Sequence, residues 1–131
     1  MKITSVIARL LLGLIFLVFG LNGFFHFLSM PAPTGVAGQF LGALFLSNFL
    51  IVIFVIQLIG AVLLLVNRCV ALALTVLAPI IVNILLFHLL MAPSGVPLAI
   101  LVAVLWVLVF FSVRSAFAGL LQAQVAVPVS R

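Results

Sequence analysis

Two histidines, each with an asparagine shortly before it, are the residues of this sequence best suited to chemistry. His26 and His88 each follow a phenylalanine, in the similar stretches FHFLSMPAPTGV and FHLLMAPSGV. Imidazole is able to exchange a proton near neutral pH, to ligate haem iron, and to donate or accept hydrogen bonds. Asn22 lies four residues before His26, on the same face of a helix. The repeated phrase predicts that both imidazoles occupy equivalent positions in the fold.

The charged residues exclude most catalytic chemistry. The chain of 131 residues has five Lys or Arg and no Asp or Glu. Without a carboxylate, neither a Ser-His-Asp triad nor an acid–base pair of carboxyl groups can form. The sequence shows no metal-ligand cluster or nucleotide-binding loop, and its single cysteine, Cys69, has no partner for an intrachain disulfide. We therefore do not expect a free-standing enzyme. Five dispersed cations also form no patch for nucleic acid.

The composition indicates a membrane protein. Hydrophobic residues make up 69% of the chain and charged residues 4%, whereas soluble domains carry roughly 25% charged residues. A membrane helix needs about 20 mostly apolar residues. We predict an all-α membrane protein, a four-transmembrane-helix bundle, as a single domain over residues 1–118 with a cytoplasmic tail at 119–131. The predicted helices are 5–27, 43–66, 71–91 and 97–117.

The basic residues predict the orientation of the helices. Lys2 and Arg9 flank the start of the first helix, Arg68 lies between the second and third, and Arg114 and Arg131 follow the fourth. Four spans place all five on one side of the membrane, and the positive-inside rule makes that side cytoplasmic. We expect a bacterial inner (plasma) membrane protein with both termini in the cytoplasm. The first apolar run is too long for a signal peptide and is interrupted by Arg9.

The repeated Phe-His phrase predicts two copies of a helical hairpin, related by an axis along the membrane normal. Each phrase closes an outward-going helix and is followed by a Pro/Gly turn. This places both histidines near the outer surface and gathers amides in the outer half of the bundle. The candidate ligand-binding residues are His26, His88, Asn22, Asn83 and Asn48, with the deeper residues Gln57 and Trp106.

A stripe on the first helix predicts close helix packing. Five residues spaced 4, 3, 4 and 3 apart share one face. Glycines in such a stripe let a neighbouring helix approach, which is how membrane helices associate without a hydrophobic driving force. We interpret the stripe as a packing seam and not as a site. Its members are Arg9, Gly13, Phe16, Gly20 and Gly23.

Pro79 is the remaining packing residue, and we expect it to kink the third helix. Proline has no N–H for the carbonyl of Thr75, four residues earlier. A freed carbonyl in the membrane needs a partner. The indole N–H of Trp106 needs an acceptor when buried. We expect that acceptor to be Gln57 or the freed carbonyl.

The runs IARLLLGLIFLVFGLNGFFHF and NRCVALALTVLAPIIVNILLFHLLMAP resemble the DoxX family of small four-helix bacterial membrane proteins. The matching phrases are R-x3-G-x2-F-x3-G, from Arg9 to Gly20, and P-x3-N-x3-FH, from Pro79 to His88. The resemblance implies a role in a membrane redox or oxidative-stress system, with quinone-linked sulfur oxidation in some members. This chain departs from the pattern at Gly23, where similar members often have Lys, and at Gln57, where they often have an acidic residue.

Four functions stay open at this stage. The first is a redox accessory subunit in which the outer polar residues bind a quinone or another apolar ligand, because quinone carbonyls accept hydrogen bonds. The second is a scaffold that docks a partner subunit and has no site of its own. The third is a small transporter, although no carboxylate is present to carry a proton. The fourth is a bis-histidine haem bundle. The sequence identifies neither the partner nor the oligomeric state, and a homodimer is compatible with it.

Overall fold

The computed structural model describes residues 2–124 and 127–129 and contains helices but no strand within them. The predicted all-helical fold is therefore confirmed for this part of the chain. Met1 and Arg131 lie outside the described residues, as do parts of the predicted tail. The elements are α1 (Ile3–Phe25), α2 (Gly35–Leu46), α3 (Phe49–Leu65), α4 (Val70–Leu90) and α5 (Val96–Val113), with 3-10 turns at Pro93–Gly95 and Arg114–Leu121.

Three segments are long and apolar enough to cross a membrane. They are α1, α4 and the continuous segment from Pro93 to Leu121. A fourth span arises only if α2 and α3 are taken together, and these two helices are bent by 84° at their junction. With 17 residues, α3 alone lies at the lower limit of the roughly 17–25 residues that span a bilayer. The length and apolar composition of these helices indicate that the protein spans a membrane.

The region before α3 differs from the prediction of one helix over 43–66. A separate helix, α2, begins at Gly35, and the chain turns at Ser47 and Asn48. Asn48 adopts the left-handed conformation with φ of 62°, which asparagine tolerates better than most residues. The Ser47 hydroxyl donates to the carbonyl of Leu44 at 3.2 Å and accepts from the N–H of Phe49 at 3.4 Å. This short polar pair satisfies backbone groups on both sides of the bend, so the helix is interrupted within an apolar run.

The long helices pack as antiparallel neighbours. α1 and α4 each contact both α3 and α5. Each of the three glycines of α1 faces a side chain of α3, and later glycines face earlier residues of α3, as in an antiparallel pair. A methyl group on any of these glycines would press on the facing side chain. The stripe predicted on the first helix is therefore the contact surface with α3 in this structure. The three pairs are Gly13 with Leu65, Gly20 with Leu58 and Gly23 with Phe54.

The buried core is small, and most large apolar side chains are exposed. Phe16, Leu12, Leu64, Leu74, Leu77 and Val109 are the largest fully buried side chains. They come from α1, α3, α4 and α5, so the core lies along the common axis of these four helices. Exposed leucine, isoleucine, valine and phenylalanine cover the outside. Such a surface suits lipid and not water.

Candidate functional site

Asn22 shapes the end of α1. Its side chain is buried, and its Oδ1 accepts a hydrogen bond from the backbone N–H of Leu28 at 2.7 Å. Its carbonyl accepts the N–H of His26 at 2.8 Å. His26 itself has φ of 51° and ends the helix in the left-handed conformation, with its side chain exposed. Asn22 therefore fixes the path of the chain as it leaves α1, and its side-chain oxygen Oδ1 already accepts a hydrogen bond.

His88 closes the turn between α4 and α5. It lies inside the last turn of α4 and is half-buried. Its Nδ1 lies 3.1 Å from the carbonyl oxygen of Ala92. Because a carbonyl oxygen only accepts, Nδ1 carries the proton, and a neutral His88 has only an acceptor left at Nε2. The ring also fills the space beside Gly95, where a methyl group would overlap it.

The two Phe-His phrases therefore differ in local structure. His26 follows the end of its helix, whereas α4 continues for two residues beyond His88. The first phrase leads into a loop and then α2, and the second leads into the short turn Pro93–Gly95 and directly into α5. The sequence similarity does not produce the same turn twice.

The other two asparagines among the candidates are exposed. Asn83 donates from Nδ2 to the carbonyl of Pro79 at 2.8 Å, within the same helix, and is exposed. Asn48 is the exposed left-handed residue of the bend before α3. Sequence reasoning read Asn48 as a ligand candidate and missed its role in the bend. The signal was the Ser47–Asn48 pair, since both residue types favour turns.

Gln57 and Trp106 connect neighbouring helices. Gln57 is buried in α3 and donates from Nε2 to the carbonyl of Phe16 in α1 at 3.1 Å. Trp106 in α5 donates from Nε1 to the carbonyl of Leu74 in α4 at 3.0 Å. The expected acceptor for the indole was Gln57 or the carbonyl of Thr75, and this expectation was wrong. The acceptor is the carbonyl one residue earlier, that of Leu74.

Arg9 is a buried cation at the end of α3. Its side chain is 7% exposed, and its Nη1 donates to the carbonyls of Leu64 and Leu65. These carbonyls lie in the last turn of α3, where the helix dipole places partial negative charge. Arg9 Nε has no hydrogen-bond partner among the described residues. Backbone carbonyls here take the place of the carboxylate that the sequence lacks.

No side-chain hydrogen bond among the described residues joins two of the seven ligand candidates, and the one bond between Asn22 and His26 is between backbone groups. Two cavities lie elsewhere. An apolar groove of about 250 Å³ is bordered by α4 and α5, and a cleft of about 760 Å³ lies where the start of α1 meets the end of α5. None of the seven candidates lines either cavity. No group of three metal-ligating side chains occurs in the described residues.

No family model, curated protein or solved structure matches this chain.

Proposed function

We propose that this protein is an accessory subunit of a membrane redox or oxidative-stress system and that it acts as a scaffold in the bilayer. In this proposal, α2 and α3 together form one of four spans, and both termini lie in the cytoplasm. The arrangement of Lys2, Arg9, Arg68 and Arg114 supports that orientation, because the antiparallel helices bring their positions toward one end. The redox role comes from the resemblance to the DoxX family.

The use of the polar side chains carries the scaffold part of the proposal. The N–H groups of His88, Asn83, Gln57 and Trp106 each face a backbone carbonyl of this chain. His88 and Trp106 each use their one N–H in these bonds, so a quinone would have to displace the bond, whereas Asn83 and Gln57 keep a second amide N–H. These bonds favour a structural role for the polar side chains, in stabilising helices and turns, over a role in orienting a reacting molecule.

Complementation in the native host tests the proposal. Deleting the gene should lower survival under peroxide and thiol oxidants, and the wild-type chain should restore it. The variant with both His26→Ala and His88→Ala should restore survival as well, at equal protein level in the membrane. If deletion leaves survival unchanged, the stress-defence role is wrong. If only the double variant fails to restore it, the histidines act on a ligand.

His26 supports a second candidate function, which is binding of a quinone headgroup. Its imidazole is exposed, and its sequence neighbours Phe24, Phe25 and Phe27 are exposed as well. Phenyl rings and an imidazole donor suit a flat ring with carbonyl acceptors. Mass spectrometry of an organic extract of the purified protein tests this candidate. A quinone that is present with wild type and absent with His26→Ala supports it, and equal amounts from both proteins contradict it.

A further inference from the structure

The cleft between the start of α1 and the end of α5 combines cations, hydroxyls and apolar side chains. Lys2, Thr4 and Ser5 line it at the start of α1, and Ser112 and Arg114 line it from the other side. It is an open cleft of about 760 Å³, and all of its lining side chains except Ser5 are exposed. The chain contributes no acid to this cleft, because it has no Asp or Glu. The two cations are therefore free to pair with an anion from outside.

The start of α1 adds backbone donors to the same cleft. Lys2 precedes the helix and makes no side-chain cap, and the first turn holds no acidic residue. The first N–H groups of a helix have no partner within it, and they carry partial positive charge. Thr4 and Ser5 belong to this first turn. Backbone donors, the hydroxyls of Thr4 and Ser5 and the two cations together make a favourable environment for a phosphate group, whereas the Ser112 hydroxyl donates to the carbonyl of Val109 at 2.6 Å.

An apolar groove continues from this cleft along α5. Ile100, Val104, Val107 and Leu108 line the groove together with Leu85 of α4, and every lining side chain is apolar. Leu108 also lines the cleft, together with Phe111. The spacing of these α5 residues, 4, 3, 1 and 3, keeps them on one face of the helix. From Ile100 to Ser112 this face extends about 18 Å at 1.5 Å per residue.

We propose that this surface binds an anionic phospholipid, with the phosphate in the cleft and one acyl chain in the groove. The juxtaposition that carries the proposal is Lys2 and Arg114 at one end of an apolar face of α5. Charge complementarity selects an anionic headgroup, because a zwitterionic lipid adds a cation that Lys2 and Arg114 repel. Basic pockets between membrane helices bind anionic headgroups in this way. The proposal is independent of the redox role.

Lipid retention provides the test. The protein in mild detergent is mixed with equal amounts of phosphatidylglycerol and phosphatidylcholine that carry the same acyl chains, then repurified, and its bound lipids are quantified by mass spectrometry. We expect wild type to retain mainly phosphatidylglycerol. Arg114→Gln should lower the ratio of the two lipids about fivefold, and Lys2→Gln with Arg114→Gln about 10- to 30-fold. Arg68→Gln is the matched control. Arg68 is an exposed arginine like Arg114, but it follows α3 and lies outside the cleft.

Two further arms separate a lipid from a free anion. Val107→Trp fills the groove from its exposed side and should lower retention of both lipids without changing their ratio. Inorganic phosphate at millimolar concentration should leave the ratio unchanged. The proposal is overturned if wild type shows no preference, if Arg68→Gln acts as strongly as Arg114→Gln, or if phosphate abolishes the preference while Val107→Trp has no effect. The helix content of each variant, measured by circular dichroism, checks that it is folded. If the double variant is not folded, the lipid ratio of Arg114→Gln alone decides the test.

Discussion

The polar side chains that lie between helices and those near the ends of α1 and α4 use their hydrogen bonds differently. Arg9, Gln57 and Trp106 bond to carbonyls on other helices, at sequence separations of 55, 41 and 32 residues. Asn22 and His88, near the ends of α1 and α4, bond at separations of six and four residues. The first group connects α1 with α3 and α4 with α5. The second group fixes only the local path of the chain.

This difference follows from where each group lies. Between helices no water competes for a donor, so the nearest acceptor is a backbone carbonyl of the facing helix. At a helix end, unpaired backbone groups are already present, and a nearby Asn or His reaches them first. Polar side chains therefore give long-range connections in one region and turns in the other. Substitutions should follow this division.

Reversing the charge of Arg9 should have the largest effect. Arg9→Glu places a buried anion beside the carbonyls that end α3, so it should lower the free energy of unfolding by about 3–5 kcal/mol. Arg68→Glu, at an exposed position beside the same helix end, should change it by less than about 0.5 kcal/mol. Unfolding in mixed micelles titrated with sodium dodecyl sulfate measures both. Equal losses for the two variants would show that Arg9 does not act through α3.

A methyl group at the seam between α1 and α3 should have the next largest effect. Gly23→Ala overlaps the ring of Phe54, so we expect a loss of about 1–3 kcal/mol in the free energy of unfolding. Gly42→Ala in α2 meets no atom within 4 Å and should stabilise by about 0.4–1 kcal/mol, because alanine restricts the unfolded chain. The same titration reports both changes. The same sign for the two variants would contradict the close approach at Gly23.

The sequence predicts the helices better than it predicts their connections. The apolar runs place α1, α4 and α5 within a few residues of the observed ends, because length and hydropathy alone determine them. The bend at Ser47 and Asn48 was missed, because two polar residues inside an apolar run still pass a hydropathy criterion. Its 84° angle depends on a left-handed residue and a hydroxyl bond, which a hydropathy pattern does not encode.

The polar residues were found from the sequence, but most of their partners were not. Gln57 and Trp106 stood out as polar or amphipathic residues within membrane helices. Their acceptors, the carbonyls of Phe16 and Leu74, depend on the register between helices, and every residue offers such a carbonyl. The histidines looked equivalent because their flanking residues match. The differing ends of α1 and α4 depend on the contacts of Asn22 and Gly95, which lie outside or at the edge of the repeated phrase.

Removing one connection between helices should have a smaller effect than the seam substitution. Gln57→Leu deletes the bond to the Phe16 carbonyl and keeps the volume of the side chain. We expect a loss of about 1 kcal/mol, within the upper limit of about 1.7 kcal/mol measured for such bonds in membranes. Asn83→Leu removes a bond within one helix at an exposed position and should change the free energy of unfolding by less than about 0.5 kcal/mol. A loss at Asn83 as large as that at Gln57 would contradict the division between connecting and local bonds.

The smallest expected difference separates the two histidines. His88→Ala removes the bond to the Ala92 carbonyl and the ring that packs on Gly95, so it should lower the free energy of unfolding by about 0.5 kcal/mol, the lower end of the range for one hydrogen bond. His26→Ala removes an exposed ring, while the backbone bond to Asn22 persists, so we expect almost no change. Both variants replace the histidine of a Phe-His phrase by alanine. A difference between them therefore reflects the surroundings of each histidine and not the type of substitution. Equal effects would mean that the histidines act alike, and the turn at His88 would then be held by its backbone and not by its imidazole.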